Sequence, residues 1–265
     1  MVVRLKGKVI SVEAYTDFAS VYDKFMDETP YEKWCENICN ELGKYDIKDG
    51  LILELGCGTG SMTELLAKKG FDMIGVDYSQ DMLNIACSKR EETGHDILYL
   101  NQDMCEFELY GTVAAVVSVC DCVNYLLEDD DVIRCFKLVN NYLDPEGIFF
   151  FDFNTRYKYE TVIGDAVIAE NREECSFIWE NYFDADESIN EYDLTIFVKE
   201  EGQLYSKFEE VHYQRGYTLD EMKSFIEASG LIFIRAYDAD TLREVTPESE
   251  RIYCVAKENG KARVL

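Results

Sequence analysis

Histidine is nearly absent: with only His95 and His212 among 265 residues, a metal site built from several imidazoles is excluded by count. There are three prolines, so no proline-rich linker divides the chain, and neither an internal repeat nor a low-complexity tract is present. Long apolar runs are missing too. Nothing approaches the roughly 20 consecutive apolar residues of a membrane-spanning helix, and the opening MVVRLKGKVISVE has no apolar core of the kind a secretory leader carries. The chain is expected in the cytoplasm, with no membrane partner. Positive charge is also scarce: 26 Lys and Arg stand against 53 Asp and Glu, a formal net charge of −27. Such a surface repels phosphate backbones, because nucleic-acid affinity comes from cationic side chains that displace counterions. Nucleic acid is disfavoured as a partner.

Cysteine is plentiful, at ten residues, but no pair has Cys-x-x-Cys spacing and several lie in apolar runs such as VVSVCDCV. They read as reduced, mostly buried thiols. Cys35 and Cys39 share a helix face and Cys120 and Cys122 flank Asp121, yet neither pair has the partners a metal needs, so none is expected.

An apolar content of 47% can build a substantial core, either one large domain or one domain carrying an insertion. Two leading segments, FASVYDKFM and YEKWCENICNELGKY, repeat apolar residues at three-to-four spacing and predict helices, the second headed by Pro30. From Leu51 onward short apolar runs alternate with amphipathic ones, the pattern of a parallel sheet wound with helices. The predicted strands are LILEL (51–55), DMIGVD (72–77), ILYLN (97–101), VAAVVSVC (113–120) and GIFFFDF (147–153). After Asn154 the alternation stops. DAVIAENR, CSFIWENYF, INEYDLTIFVK and LYSKFEEVHYQRGY read as antiparallel strands with one wet face, and YTLDEMKSFIEASGL then restores a helix ahead of strands IFIRAYDA and RIYCVAKE. The expected division is a core of residues 1–155 and 216–265 with an antiparallel β insertion at 156–215 lying over the active site. Residues 1–12 could add a strand or drape over the surface.

The sharpest motif is Glu54-Leu55-Gly56-Cys57-Gly58-Thr59-Gly60, placed where a strand gives way to a helix. Glycines there let the backbone turn and approach a ligand with no Cβ in the way. The spacing is not that of a dinucleotide loop, since counting from Gly56 the third glycine arrives one residue early, and the Lys-Ser/Thr ending of a phosphate loop is absent. About 20 residues on, Asp77 ends the next strand, where a carboxylate can meet ribose hydroxyls or simply cap the helix beginning at Ser79. Asp103 ends the third strand, where it can accept a hydrogen bond from an adenine amino group or serve as an ordinary loop acid.

ELGCGTG, VDYS, NQDM and DPEGIFFFDF together resemble the motif series of class I S-adenosylmethionine-dependent methyltransferases, over residues near 50 to 155. AYTDFASVYDKFM and FDFNTRYKYE are similar to the YqeM-like group of small bacterial methyltransferases, and the strand insertion resembles that of sugar-amine N-methyltransferases. The resemblance implies an α/β fold with a Rossmann-like seven-stranded sheet, N-terminal helices and an antiparallel β insertion, and S-adenosylmethionine as cofactor. It implies that Glu54 is among the cofactor-binding residues, and that Gly56, Cys57 and Gly58 line the methionine part, Asp77 the ribose, Tyr78 the adenine face, and Asp103 with Met104 the adenine edge. Val119 and Cys120 would pass the sulfonium, and Tyr15, Tyr22 and Trp34 would close the site from the leading helices.

The cofactor carries its own electrophile, so the protein must mainly align acceptor, methyl and sulfur and exclude water. An acceptor bearing a proton also needs a base near the ends of the fourth and fifth strands. Asp121, Tyr125 and His212 are the candidates; Asn124, Asp152 and Tyr157 share the rim, with Tyr213 and Arg215 as acceptor-positioning groups. His95 reads as a solvated loop residue. The expected function is polar methyl transfer to the nitrogen or oxygen of a small molecule by a monomer or homodimer. The alternatives are an RNA or protein methyltransferase, a protein that only binds the cofactor, and a dinucleotide oxidoreductase.

Overall fold

The computed structural model describes residues 2–5, 8–11 and 18–261. Strands β1 (Val2–Leu5) and β2 (Lys8–Ser11) pair antiparallel as a separate hairpin. Helices α1 (Ala19–Phe25) and α2 (Tyr31–Gly43) follow. The winding proper then runs β3 (Leu51–Leu55), α3 (Ser61–Lys68), β4 (Asp72–Asp77), α4 (Gln80–Thr93), β5 (Ile97–Asn101), β6 (Val113–Ser118), α5 (Asp129–Tyr142) and β7 (Leu143–Asn154). A second sheet, β8 (Val167–Asn171), β9 (Cys175–Asp184), β10 (Ile189–Lys199) and β11 (Tyr205–Arg215), precedes α6 (Leu219–Ala228), β12 (Ile232–Asp238) and β13 (Arg251–Lys257).

Seven strands form the main sheet in the order β12-β13-β7-β6-β3-β4-β5. β5, β4, β3, β6 and β7 run parallel, while β13 is antiparallel to both β7 and β12. Helices cover both faces, which is why these strands read as nearly continuous apolar runs. Along β7 the alternation sends Phe149, Phe151 and Phe153 into the core beneath α5 and α6, and Ile148 and Phe150 into the core beneath α2 and α3. The helix ends follow local chemistry. Ser79 Oγ accepts from Met82 N at 3.2 Å to open α4, and Thr218 and Glu221 close a reciprocal capping box on α6.

Two predicted strand limits move. β6 stops at Ser118, and just beyond it Cys120 and Asp121 take left-handed backbone, φ +62° and +53°, two residues outside the extended region that turn the chain away from the sheet. β7 begins at Leu143, four residues before the predicted start at Gly147, and so takes in Asp144-Pro145-Glu146. The second sheet is antiparallel throughout, in the order β11-β10-β9-β8, with Tyr192 of β10 directly opposite His212 of β11. No described helix is long and apolar enough to cross a membrane.

Candidate active site

β3 is flanked by β4 on one side and β6 on the other, and the helices that follow β3 and β6 pack on opposite faces of the sheet. Parallel α/β sheets bind ligands at such reversals, beyond the carboxyl ends of the strands. A cavity of about 930 Å³ opens there.

Its floor is the glycine loop. The N–H groups of Gly56 and Cys57 both donate to Val76 O, at 2.8 and 3.0 Å, which draws the loop over the end of β4. A Cβ on Gly56 would stand 2.5 Å from Cys122 Sγ, so no other residue fits beneath that thiol. Gly58 is different: its φ is +53°, and an added Cβ would meet no atom within 4 Å, because it would enter the cavity.

Beside the loop, Asp77 is fixed by two backbone donors, Gly58 N to Oδ2 and Ser79 N to Oδ1, both at 2.8 Å. Burial raises its carboxyl above the ordinary value, and those N–H groups act against the rise. Asp103 Oδ1 accepts from Cys105 N at 2.8 Å. Tyr78 is 55% exposed at the cavity edge.

Glu54 lies deeper, 2% exposed, with Thr63 Oγ1 donating to it at 2.5 Å. Burial pushes its carboxyl up to about 8, opposed by the Thr63 bond and reinforced by Asp77. The folded protein therefore holds this proton where the unfolded chain has lost it. Stability from this group is full below an ordinary value of 4.5 and is lost as pH rises toward about 8, by at most about 1.4 kcal/mol per unit. Glu54→Gln should flatten that slope. In denaturant titrations the variant should match the wild type near pH 5 and exceed it near pH 8.5; parallel profiles would show that ionised Glu54 costs nothing.

The cavity wall brings together Tyr22, Glu54, Gly56, Cys57, Gly58, Asp77, Tyr78, Asp103, Met104, Val119, Cys120 and Tyr125 from the sequence-derived set. It does not include Trp34, Asp121 or His212. Trp34 packs edge-on against Tyr31 at 5.7 Å and lies under the Arg251 guanidinium at 5.4 Å. Asp121 is engaged by Arg251 Nη2 and by Gln214 Nε2, each at 2.7 Å. His212 is buried behind Tyr125, its Nδ1 3.2 Å from the phenol oxygen. Tyr15 lies outside the described residues. His95 sits at the surface, 2.6 Å from Glu64 Oε2.

Tyr31 and Asp23 were not named from the sequence, and Asp152 was named only as a residue of the rim. Tyr31 joins the wall from the first turn of α2, three residues before Trp34 and so on the same helix face. Asp23 of α1 accepts from Thr59 Oγ1 at 2.6 Å and pairs with Lys89 of α4 at 2.7 Å, which fastens α1 onto the glycine loop. Asp152, fully buried, accepts from Cys120 N at 3.2 Å, Asp121 N at 2.7 Å and Arg251 Nη1 at 3.0 Å. Among the described residues, no cluster of His, Cys, Asp or Glu could hold a metal ion.

Comparison with known proteins assigns this arrangement. Residues 52–147 match the family model described as "Methyltransferase domain". The chain is 37% identical over 246 residues to "Putative methyltransferase YqeM" of Bacillus subtilis (strain 168), covering 92% of this chain and 97% of that one. The chain belongs to the class I S-adenosylmethionine-dependent methyltransferases. A crystal structure of an S-adenosylmethionine-dependent methyltransferase from Clostridium acetobutylicum superposes with a TM-score of 0.84 at 29% identity, covering 94% of this chain and all of that one. The S-adenosylmethionine-bound structure of CalS10, an amino pentose methyltransferase from Micromonospora echinaspora, shares the fold with a TM-score of 0.72 at 17% identity over 94% of this chain and all of that one.

S-adenosylmethionine is thus the methyl donor of this class I methyltransferase, and the residues present fit it. The loop leaves open space where a Cβ at Gly58 would stand, and an anchored carboxylate, Asp77, faces that space from the next strand.

Proposed function

We propose that the chain transfers the methyl group of S-adenosylmethionine to the nitrogen or oxygen of a small molecule. The observation that carries this is the composition of the cavity wall. Its volume, about 930 Å³, lies in the range of small-molecule sites. Tyr22, Tyr31 and Tyr125 supply aromatic walls, Glu128, Asp129, Asp130 and Asp131 supply acid, and Arg134 is the single basic side chain among the described wall residues. Arg134 is itself paired with Asp131 at 3.1 Å. A phosphate backbone finds no counter-charge there, whereas a neutral or cationic acceptor does.

In this reading Gly56, Cys57 and Gly58, with Glu54, hold the methionine end, Asp77 takes the ribose hydroxyls, Tyr78 covers the adenine and Asp103 with Met104 meets its edge. Val119 and Cys120 border the sulfur, and Tyr22 closes the site from α1. When bound, the cofactor supplies a methyl on positively charged sulfur; the protein aligns the acceptor with it and excludes water. Residues 156–215 form the layer behind Tyr125, reached through Tyr192 and His212.

Asp77→Ala should weaken binding of S-adenosylhomocysteine by about 1.5–3 kcal/mol, the usual cost of losing charge-assisted hydrogen bonds. Calorimetric titration measures this, and unchanged affinity removes Asp77 from the cofactor site. The acceptor class is tested by incubating the protein with methyl-tritiated S-adenosylmethionine and separate pools of small metabolites, RNA and protein. Small amines, amino sugars included, are tried first, given the shared fold with CalS10. Label in the small-molecule pool is expected. Label confined to RNA or protein overturns the reading.

A further inference from the structure

The inner face of the second sheet is unusually polar for a buried surface. Glu210, His212 and Gln214 alternate along β11 on that face, and Asn190 and Tyr192 stand across from Gln214 and His212 on β10. Glu210 is 4% exposed and His212 1%. Apolar residues would fill this layer at lower cost, since a buried carboxylate and imidazole must each be desolvated.

The arrangement has a direction. Tyr125, on the short helical turn after β6, lines the cavity. Its Oη lies 3.2 Å from His212 Nδ1 and 2.7 Å from Tyr192 Oη. His212 Nε2 lies 3.2 Å from Glu210 Oε2, and Glu210 Oε1 accepts from Phe18 N at 3.0 Å. The imidazole stacks on Tyr192, with ring centroids 4.9 Å apart and planes 9° from parallel. His212 is thus faced by Tyr125 from the turn, by Tyr192 from β10 and by Glu210 from its own strand. A carboxylate at Nε2 holds the ring proton there and leaves Nδ1 as an acceptor aimed at the phenol.

We propose that Tyr125, His212 and Glu210 form a proton relay leading out of the methyl-transfer cavity, with Tyr125 as the catalytic residue and His212 and Glu210 as positioning residues behind it. The relay rests on the methyl-transfer reading of the cavity and requires an acceptor that has a proton to lose. The acceptor's lone pair forms the bond to the methyl carbon, and the carbon–sulfur electron pair leaves with the sulfur. The acceptor's proton passes to Tyr125 Oη as the phenol's own proton passes to His212 Nδ1. The resulting imidazolium is stabilised by the Glu210 carboxylate, and the proton returns through Tyr125 to water when the product leaves. Charge is conserved at each step, and no other reactant is needed.

With two histidines in the chain, nitrogen NMR of ¹⁵N-histidine-labelled protein resolves the relay directly, His95→Gln identifying the His212 signals. A ring proton on Nε2, with Nδ1 the acceptor, is expected. The Nδ1 signal should differ between the S-adenosylmethionine and S-adenosylhomocysteine complexes, because the charge of the sulfur acts on the phenol that lines the cavity and donates to Nδ1. Glu210→Gln should move part of the ring proton from Nε2 to Nδ1, because the carboxylate that holds it at Nε2 is gone. A proton on Nδ1 in the unsubstituted protein, or an Nδ1 signal indifferent to the charge of the bound cofactor, overturns the relay. S-adenosylhomocysteine affinity, measured on the same samples, separates failure of the relay from failure of the cofactor site, and label found in RNA or protein would change the acceptor without touching the NMR result.

Discussion

Gly58→Val is expected to lower S-adenosylhomocysteine affinity by roughly 100-fold or more, a loss of at least about 2.7 kcal/mol. Two effects combine. The backbone at Gly58 has φ +53°, a conformation that a β-branched residue adopts only at a cost of about 1–2 kcal/mol. That strain falls on folding and leaves affinity alone unless the loop shifts. The larger effect is steric: a Cβ at this position meets no protein atom within 4 Å, so the added side chain occupies the cavity itself. Gly94→Val separates the two, because Gly94 also has positive φ, +73°, and open space around it, but caps α4 away from the cavity wall. Calorimetry should find normal affinity for Gly94→Val and little or none for Gly58→Val. Equal affinities would mean that the cofactor does not pass over the glycine loop.

That loop was readable because its signal is local. Glycines at a strand-to-helix junction and an acid at the end of the next strand are fixed by spacing, and β3, β4 and β5 fall on the residues predicted for them; in β3 and β4 the reason is that a strand covered on both faces is a short apolar run. What sequence could not show is which groups meet across long separations. Asp121 reads as a free acid on the rim, yet Arg251, 130 positions later, occupies its carboxylate. Trp34 reads as a cavity aromatic, but helical spacing gives a face without saying what the face meets, and here it meets Tyr31 and Arg251. One signal was present and unread. Glu210-Val211-His212 within a strand must put carboxylate and imidazole on the same side, so a strand assignment alone pairs them.

Asp152→Ala should cost about 3–5 kcal/mol of folding stability, because it breaks a buried ion pair, leaving Arg251 only Asp121, and takes the acceptor from two backbone N–H groups. Asp152 is wholly buried and receives three donors: the N–H groups of Cys120 and Asp121 and the Arg251 guanidinium. The two N–H groups belong to consecutive left-handed residues, so the carboxylate also holds the strained turn that carries Cys122 over Gly56 and Tyr125 to the cavity. Urea denaturation measures the loss. Asp152→Asn, which keeps one acceptor oxygen but no charge, should lose less. Combining Asp152→Ala with Arg251→Met should also recover part of the stability, since the guanidinium that has lost one of its two carboxylates is gone and Asp121, partly exposed, keeps Gln214 as a partner. Strictly additive losses in that double variant would show that Arg251 does not depend on Asp152.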